Sequence, residues 1–126
     1  MKTILKTLLL ILSISLVGCK KEERDKGQHP ISTLEITEIT AITAVSGGEM
    51  KVSSPMFKMG ICWSINPNPT VDNFKINNET DKKRFSCIMT NLTPNTKYYV
   101  RAFNIWGLCI EYGEQVEFTT LEKDIE

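Results

Sequence analysis

Few side chains in this 126-residue chain could do covalent or metal chemistry: there are four cysteines and one histidine. Cys19, Cys62, Cys87 and Cys109 are widely spaced, with no Cys-x-x-Cys pair, and His29 is the lone imidazole. A zinc site needs clustered Cys and His ligands. A Ser-His-Asp or Cys-His relay needs a histidine held in a folded frame. His29 instead lies in a charged stretch with almost nothing apolar to bury. Glu22-Glu23 share that stretch, and Glu111, Glu114 and Glu117 spread along a solvated strand. Gly47-Gly48 reads as a strand turn or bulge rather than a phosphate-cradling loop. The expectation is no enzyme, no cofactor and no metal. Cys62, Cys87 and Cys109 are expected as small buried hydrophobes.

Cys19 is different because of what precedes it. Ile4 to Val17 is rich in Leu and Ile, carries Lys2 and Lys6 near its start, and closes on Gly18. That is a basic n-region, a short apolar h-region and a small-residue cleavage site. The run falls short of the ~20 apolar residues that span a bilayer. One reading is an ordinary secretory signal with an incidental cysteine. However, Leu16-Val17-Gly18-Cys19 resembles the lipobox of bacterial lipoproteins. The resemblance implies cleavage before Cys19, a diacylglycerol on its sulfur, and the membrane as a partner through that lipid. One acyl chain holds only marginally, whereas two or three hold effectively permanently.

The residues after Cys19 begin with Lys20-Lys21-Glu22-Glu23-Arg24-Asp25, a solvated run suited to a tether. Lys21-Glu22-Glu23 also resembles the lysine-plus-two-acids export signal of Bacteroidota lipoproteins. It implies an outer-membrane location on the cell surface. The alternative is the inner leaflet, facing the periplasm. Without Lys2 and Lys6 the chain has 13 basic and 15 acidic residues, a formal charge of −2. Nucleic-acid binding wants a clustered basic face, so no nucleic-acid partner is expected. The expected organisation is signal peptide 1–18, tether 19–31, one domain 32–120 and a tail 121–126. Asn78-Glu79-Thr80 and Asn91-Leu92-Thr93 match the glycosylation sequon, which carries no meaning expected in a bacterial lipoprotein.

The elements that would position these residues read as β. Thr33–Thr40 alternates and is dense in β-branched residues, and Ala41–Ser46 continues as a second strand. Met56–Ile65 alternates with Phe57, Met59, Ile61, Trp63 and Ile65 in one phase. Asn66-Pro67-Asn68-Pro69 ends it. Asp72–Lys83 reads mostly as loop, with a short edge strand hinted by Phe74 and Ile76. Arg84–Met89, Tyr98–Asn104 and Gln115–Thr119 complete about seven short strands, the count of a sandwich. No helical period follows residue 30.

Leu92-Thr93-Pro94-Asn95-Thr96-Lys97-Tyr98-Tyr99-Val100-Arg101-Ala102 resembles the E–F corner and strand F of fibronectin type III domains. By that resemblance Leu92 plugs the core, Pro94 turns the chain, and the Tyr98 hydroxyl returns to the corner backbone. Tyr98, Val100 and Ala102 then face inward, while Tyr99, Arg101 and Phe103 face out. Thr40 to Gly48, Gly60 to Ser64 with Asn66 to Thr70, and Tyr112-Gly113 through Thr120 resemble the fibronectin type III-like modules of Bacteroidota surface lipoproteins. The implied fold is an all-β, immunoglobulin-like sandwich of about seven antiparallel strands. In that alignment Cys87 faces inward with Phe85 and Met89. Cys62 is out of phase with Ile61 and Trp63, so a Cys62–Cys87 disulfide is not expected.

The F–G connection departs from the family's small, polar pattern. It reads Asn104-Ile105-Trp106-Gly107-Leu108-Cys109-Ile110-Glu111-Tyr112. Ile105, Trp106, Leu108, Ile110 and Tyr112 form a candidate partner-binding loop for a glycan or protein, since rigid sandwiches display binding residues on loops. Two alternatives stand beside it. Trp106 and Ile110 could fold back to cap the core, or the protein could be a structural accessory that uses an exposed sheet edge.

Overall fold

The computed structural model describes residues 31–51, 58–78 and 82–123. Eight strands run in order: β1 (Ile31–Thr33), β2 (Ala44–Met50), β3 (Lys58–Ser64), β4 (Phe74–Asn78), β5 (Arg84–Met89), β6 (Lys97–Trp106), β7 (Cys109–Tyr112) and β8 (Val116–Thr119). Among the described residues there is no helix. One sheet has the order β1-β2-β5. The other has the order β4-β3-β6-β7, with β8 also on β6. All pairings are antiparallel. The protein is therefore an all-β sandwich.

Period-two burial explains the layers. In β5, Phe85, Cys87 and Met89 are buried while Arg84, Ser86 and Ile88 are exposed. Met59, Ile61 and Trp63 of β3 meet Tyr98, Val100 and Ala102 of β6 in the same core, closed by Ile31, Leu92 and Phe118. The side chains of β6 on the opposite face are not all solvated. Phe103 is fully buried there, because Gly60 on the neighbouring strand leaves room for its ring: a Cβ at Gly60 would meet Phe103 Cζ at 2.7 Å. The expectation that Phe103 faces out holds for its face of the sheet and fails for its exposure.

Three expectations about the first 20 residues of the domain change. The stretch Thr33–Thr40 is not a strand; β1 ends at Thr33, and beyond it the Leu34 N–H donates to the Gly47 carbonyl at 3.0 Å and an isolated bridge joins Thr37 to Val45. The second strand starts at Ala44 and runs to Met50. Gly47 and Gly48 lie inside that strand rather than in a turn. A Cβ at Gly47 would sit 2.0 Å from the Phe85 carbonyl oxygen, and one at Gly48 would strike Phe85 and Ala102. The pair exists for close approach of strands and sheets.

β7 and β8 form one interrupted edge along β6. Tyr112 pairs with Phe103, whereas Val116 pairs with Val100, so this edge carries one extra residue. That is a β-bulge over Gly113–Gln115. It brings Gly113 against β1, whose Thr33 Oγ1 accepts from the Ala102 N–H at 2.9 Å. The Glu114 Oε1 accepts from the Thr33 N–H at 2.9 Å. The bulge thereby ties the first described strand to the larger sheet.

Candidate functional site

The end of the sandwich where β2 finishes and β3 begins also holds the end of β6. There β6 and β7 form a hairpin, where the sequence suggested a loop. Ile105 pairs with Ile110 and Trp106 with Cys109, leaving a two-residue turn at Gly107-Leu108. Gly107 has φ 60°. A glycine with positive φ at the first central position is what a type II′ hairpin turn requires, and its twist suits the flanking strands.

The five candidate contact residues separate into three kinds. Trp106 is 56% exposed and Leu108 fully exposed at the tip. Ile105 and Ile110 are half-buried partners across the hairpin. Tyr112 serves the fold: its hydroxyl accepts from the Val71 N–H at 3.0 Å, and the Arg101 guanidinium lies 4.1 Å from its ring centroid. The tip does not fold back as a cap over the core. Behind it, Asn104 is buried and its Oδ1 has no hydrogen-bond partner.

Sequence reasoning missed a set of lysines at the rim of this end of the sandwich. Lys51 follows β2, Lys58 opens β3 opposite Ile105, and Lys82 and Lys83 precede β5; all four are exposed. Among the described residues the acids at this end are Glu49, which pairs with Arg84 at 3.1 Å, and Glu111 on β7. Net charge hid this rim, because acids elsewhere offset it. Its members are adjacent only through strand register.

The opposite end is closed by hydrogen bonds. The Tyr98 hydroxyl accepts from the Thr93 N–H at 2.8 Å, and Leu92 is buried beside it. Pro94 is half-buried, and Asn95 makes the turn at φ 50°, a conformation asparagine tolerates. The Thr120 hydroxyl donates to the Thr93 carbonyl at 2.6 Å, and the Thr96 N–H donates to Thr120 Oγ1 at 2.9 Å. The Asn95 N–H donates to the Leu121 carbonyl at 2.9 Å.

Cys62 and Cys87 are both free and buried. Cys62 lies opposite Arg101 on the sheet's outer face, so it does face away from the main core. It is nonetheless fully buried, under the chain that follows β3. Its Sγ lies 3.6 Å from the Pro69 carbonyl oxygen and 3.5 Å from that of Arg101. The Arg101 Nε donates to the same Pro69 oxygen at 2.9 Å. Burial pushes the Cys62 thiol up to about 11, outweighing the nearby Arg101 charge. Burial likewise raises the Cys87 thiol, against a lowering hydrogen bond from Asn78. Neither thiol is a ready nucleophile. Cys109, at the start of β7, is half-buried and is not the small buried hydrophobe expected.

Among the described residues no group of three or more His, Cys, Asp or Glu side chains could hold a metal. Glu114 and Glu117 are engaged with Thr33 and Lys97. Cys19, Lys21, Glu22, Glu23 and His29 lie outside the described residues, as does the proposed lipid attachment.

No protein-family model matches the chain, and no curated protein matches it. Solved structures do. A computationally redesigned β-sandwich protein is 23% identical, with TM-score 0.57 over 77% of this chain and 99% of that one. The sensor domain of the anti-sigma factor RsgI4 of Pseudobacteroides cellulosolvens is 18% identical, with TM-score 0.56 over 75% and 76%. A fibronectin type III domain of human collagen XX is 16% identical, with TM-score 0.52 over 81% and 100%. Together with the topology, these define the domain as a fibronectin type III-like β-sandwich. The likeness concerns the fold.

Proposed function

We propose that this protein is a non-catalytic binding module, lipid-anchored in the cell envelope through Cys19 and making its contact with the β6–β7 hairpin. The observation that carries the reading is the exposure of Trp106 and Leu108 at the tip of a hydrogen-bonded hairpin. Large apolar side chains held out on a rigid support are typical of contact surfaces. Leu16-Val17-Gly18-Cys19 supports the anchor, and Lys21-Glu22-Glu23 supports display on the outer face of the outer membrane. A glycan or a protein of the envelope is the partner class the sequence leaves open.

Site-directed photo-crosslinking in cells tests the contact. A photoreactive side chain at Leu108 should give adducts that the same group at Ile88, an exposed position on β5, does not. Equal labelling at the two positions, or none at Leu108, would remove the hairpin as the contact. Protease shaving of intact cells tests the location: digestion with a periplasmic control intact supports display, and protection puts the domain in the periplasm.

A second reading takes the edge of the sheet. β4 is the outer strand of the larger sheet, and Phe74 on it is 70% exposed while stacking on Trp63. A periplasm-facing accessory protein could pair there by strand addition. Crosslinks from Phe74 rather than Leu108 would favour it.

A further inference from the structure

The hairpin end is also the end at which the chain enters the domain. Ile31 pairs with Met50 at the finish of β2, and Arg84, at the start of β5, is opposite Glu49. On the other sheet Lys58 is opposite Ile105. The two sheets are aligned by Thr33 on Ala102 and by Gly48 against Ala102. Ile31, Lys51, Lys58, Lys83 and the Trp106–Leu108 tip therefore share one pole. The Gly113 bulge holds β1 there, so the polypeptide arriving from residue 30 cannot reach the domain from the corner end.

An N-terminal membrane attachment would join the described domain at this pole. From Cys19, the 11 residues 20–30 reach at most roughly 40 Å when fully extended. A short tether holds its domain at high effective concentration over the surface, so weak contacts suffice for docking. The pole has the chemistry of an interfacial binder. Trp106 is 56% exposed and Leu108 fully exposed at the tip, and Lys51, Lys58 and Lys83 are exposed at the same end of the sandwich. Tryptophan favours the headgroup level, where its ring is half apolar and its N–H stays wet. Lysines near an anionic surface are attracted to it within a Debye length. The corner end also exposes Ile42, Ile65 and Leu121, but its charges are mixed: Glu38, Asp72 and Glu122 accompany Lys123 and Lys97, and Lys97 pairs with Glu117 at 3.3 Å.

We propose that the β6–β7 hairpin docks onto the anionic surface of the membrane to which the chain is tethered. Trp106 and Leu108 enter the headgroup region, and Lys51, Lys58 and Lys83 face the lipid phosphates. This rests on the hairpin being the contact element and names what it contacts. The docked domain sits hairpin-down, with the Tyr98 corner directed away from the bilayer.

The test uses the full lipid-bearing chain reconstituted into vesicles containing brominated lipid. One set is phosphatidylcholine; the other adds phosphatidylglycerol. Trp63 is buried in the core, so Trp106 is the tryptophan positioned to report. The expected result is quenching in the anionic vesicles that vanishes in Trp106→Phe and falls in Leu108→Asp. Each of Lys51→Gln, Lys58→Gln and Lys83→Gln should lower the docked-to-free ratio roughly five-fold. Absence of Trp106 quenching, or equal quenching in the neutral vesicles, would overturn the proposal. If quenching is absent while Leu108 crosslinks to an envelope protein or glycan, the membrane contact fails and the hairpin reading stands. If both are absent, both fail.

Discussion

At the corner end, Leu92 is buried, the Tyr98 hydroxyl takes the Thr93 N–H, and Thr120 links Thr93 to Thr96. At the hairpin end, Trp106 is 56% exposed and Leu108 fully exposed, and Asn104 Oδ1 is buried without a hydrogen-bond partner. The same strand, β6, begins in the first environment and ends in the second. A sandwich this small needs every apolar residue it can bury, and a buried amide oxygen left unpaired costs stability. The corner end is closed by side-chain hydrogen bonds, and the hairpin end exposes Trp106 and Leu108 on a two-residue turn. This contrast is the ground on which the hairpin is proposed as the contact.

Substitutions at the two ends should therefore separate cleanly. The largest effect is expected from Leu92→Ala, which leaves a cavity under the corner and should cost about 2–4 kcal/mol in chemical denaturation. A loss under about 1 kcal/mol would mean the corner is not the closed end described.

Alkaline pH probes the outer layer built by the chain leaving β3 near the corner. An unfolded Cys62 thiol ionises near its ordinary value of 9.0, whereas the folded thiol holds its proton to about 11. Between those values the unfolded state has lost a proton that the folded state keeps, so stability falls as pH rises. Below pH 9 both states are protonated and the thiol contributes nothing. Cys62 should account for on the order of 2–3 kcal/mol of that fall. Comparing denaturation midpoints of the wild type and Cys62→Ala from pH 8 to 11 isolates it; parallel pH slopes would remove the explanation.

Tyr98→Phe should cost about 1–2 kcal/mol, because the Thr93 N–H loses its acceptor. Unchanged denaturation would show that the corner closes without it. The smallest effect is expected at the other end, where Leu108→Asp should shift stability by less than about 0.5 kcal/mol. A larger loss would mean the tip packs against the domain, and the contrast between the two ends would blur.

Much of the fold was legible. Arg84–Met89 alternates without interruption, and its burial follows the alternation. Leu92 to Ala102 carries the corner and strand pattern on consecutive residues, so a local reading reaches it. The errors share a cause. Thr33–Thr40 has β-branched residues but few backbone partners, so propensity overstated the strand. Gly47-Gly48 looks like punctuation until the Phe85 carbonyl is placed 2.0 Å from the missing Cβ. Asn104–Tyr112 was read as a loop although Gly107, flanked by pairable residues, is a hairpin signal. Tyr112 was counted as a contact residue because nothing local reveals that Val71 and Arg101 occupy it.

The sequence by itself determined the layered β character, the corner built on Leu92, Pro94 and Tyr98, and the unusual apolar content of Ile105 to Ile110. Those properties reside in period-two alternation and in residues near one another along the chain. Only the tertiary structure decided that Trp106 and Leu108 project while Phe103 is buried. It also decided that Lys51, Lys58 and Lys83 lie at the same end of the sandwich as the tip, and that Ile31 enters at that end. Exposure depends on whether a distant residue, such as Gly60 beneath Phe103, makes room for a ring. Shared placement depends on strand register and on the one extra residue of the Gly113 bulge, and both are set by long-range pairing.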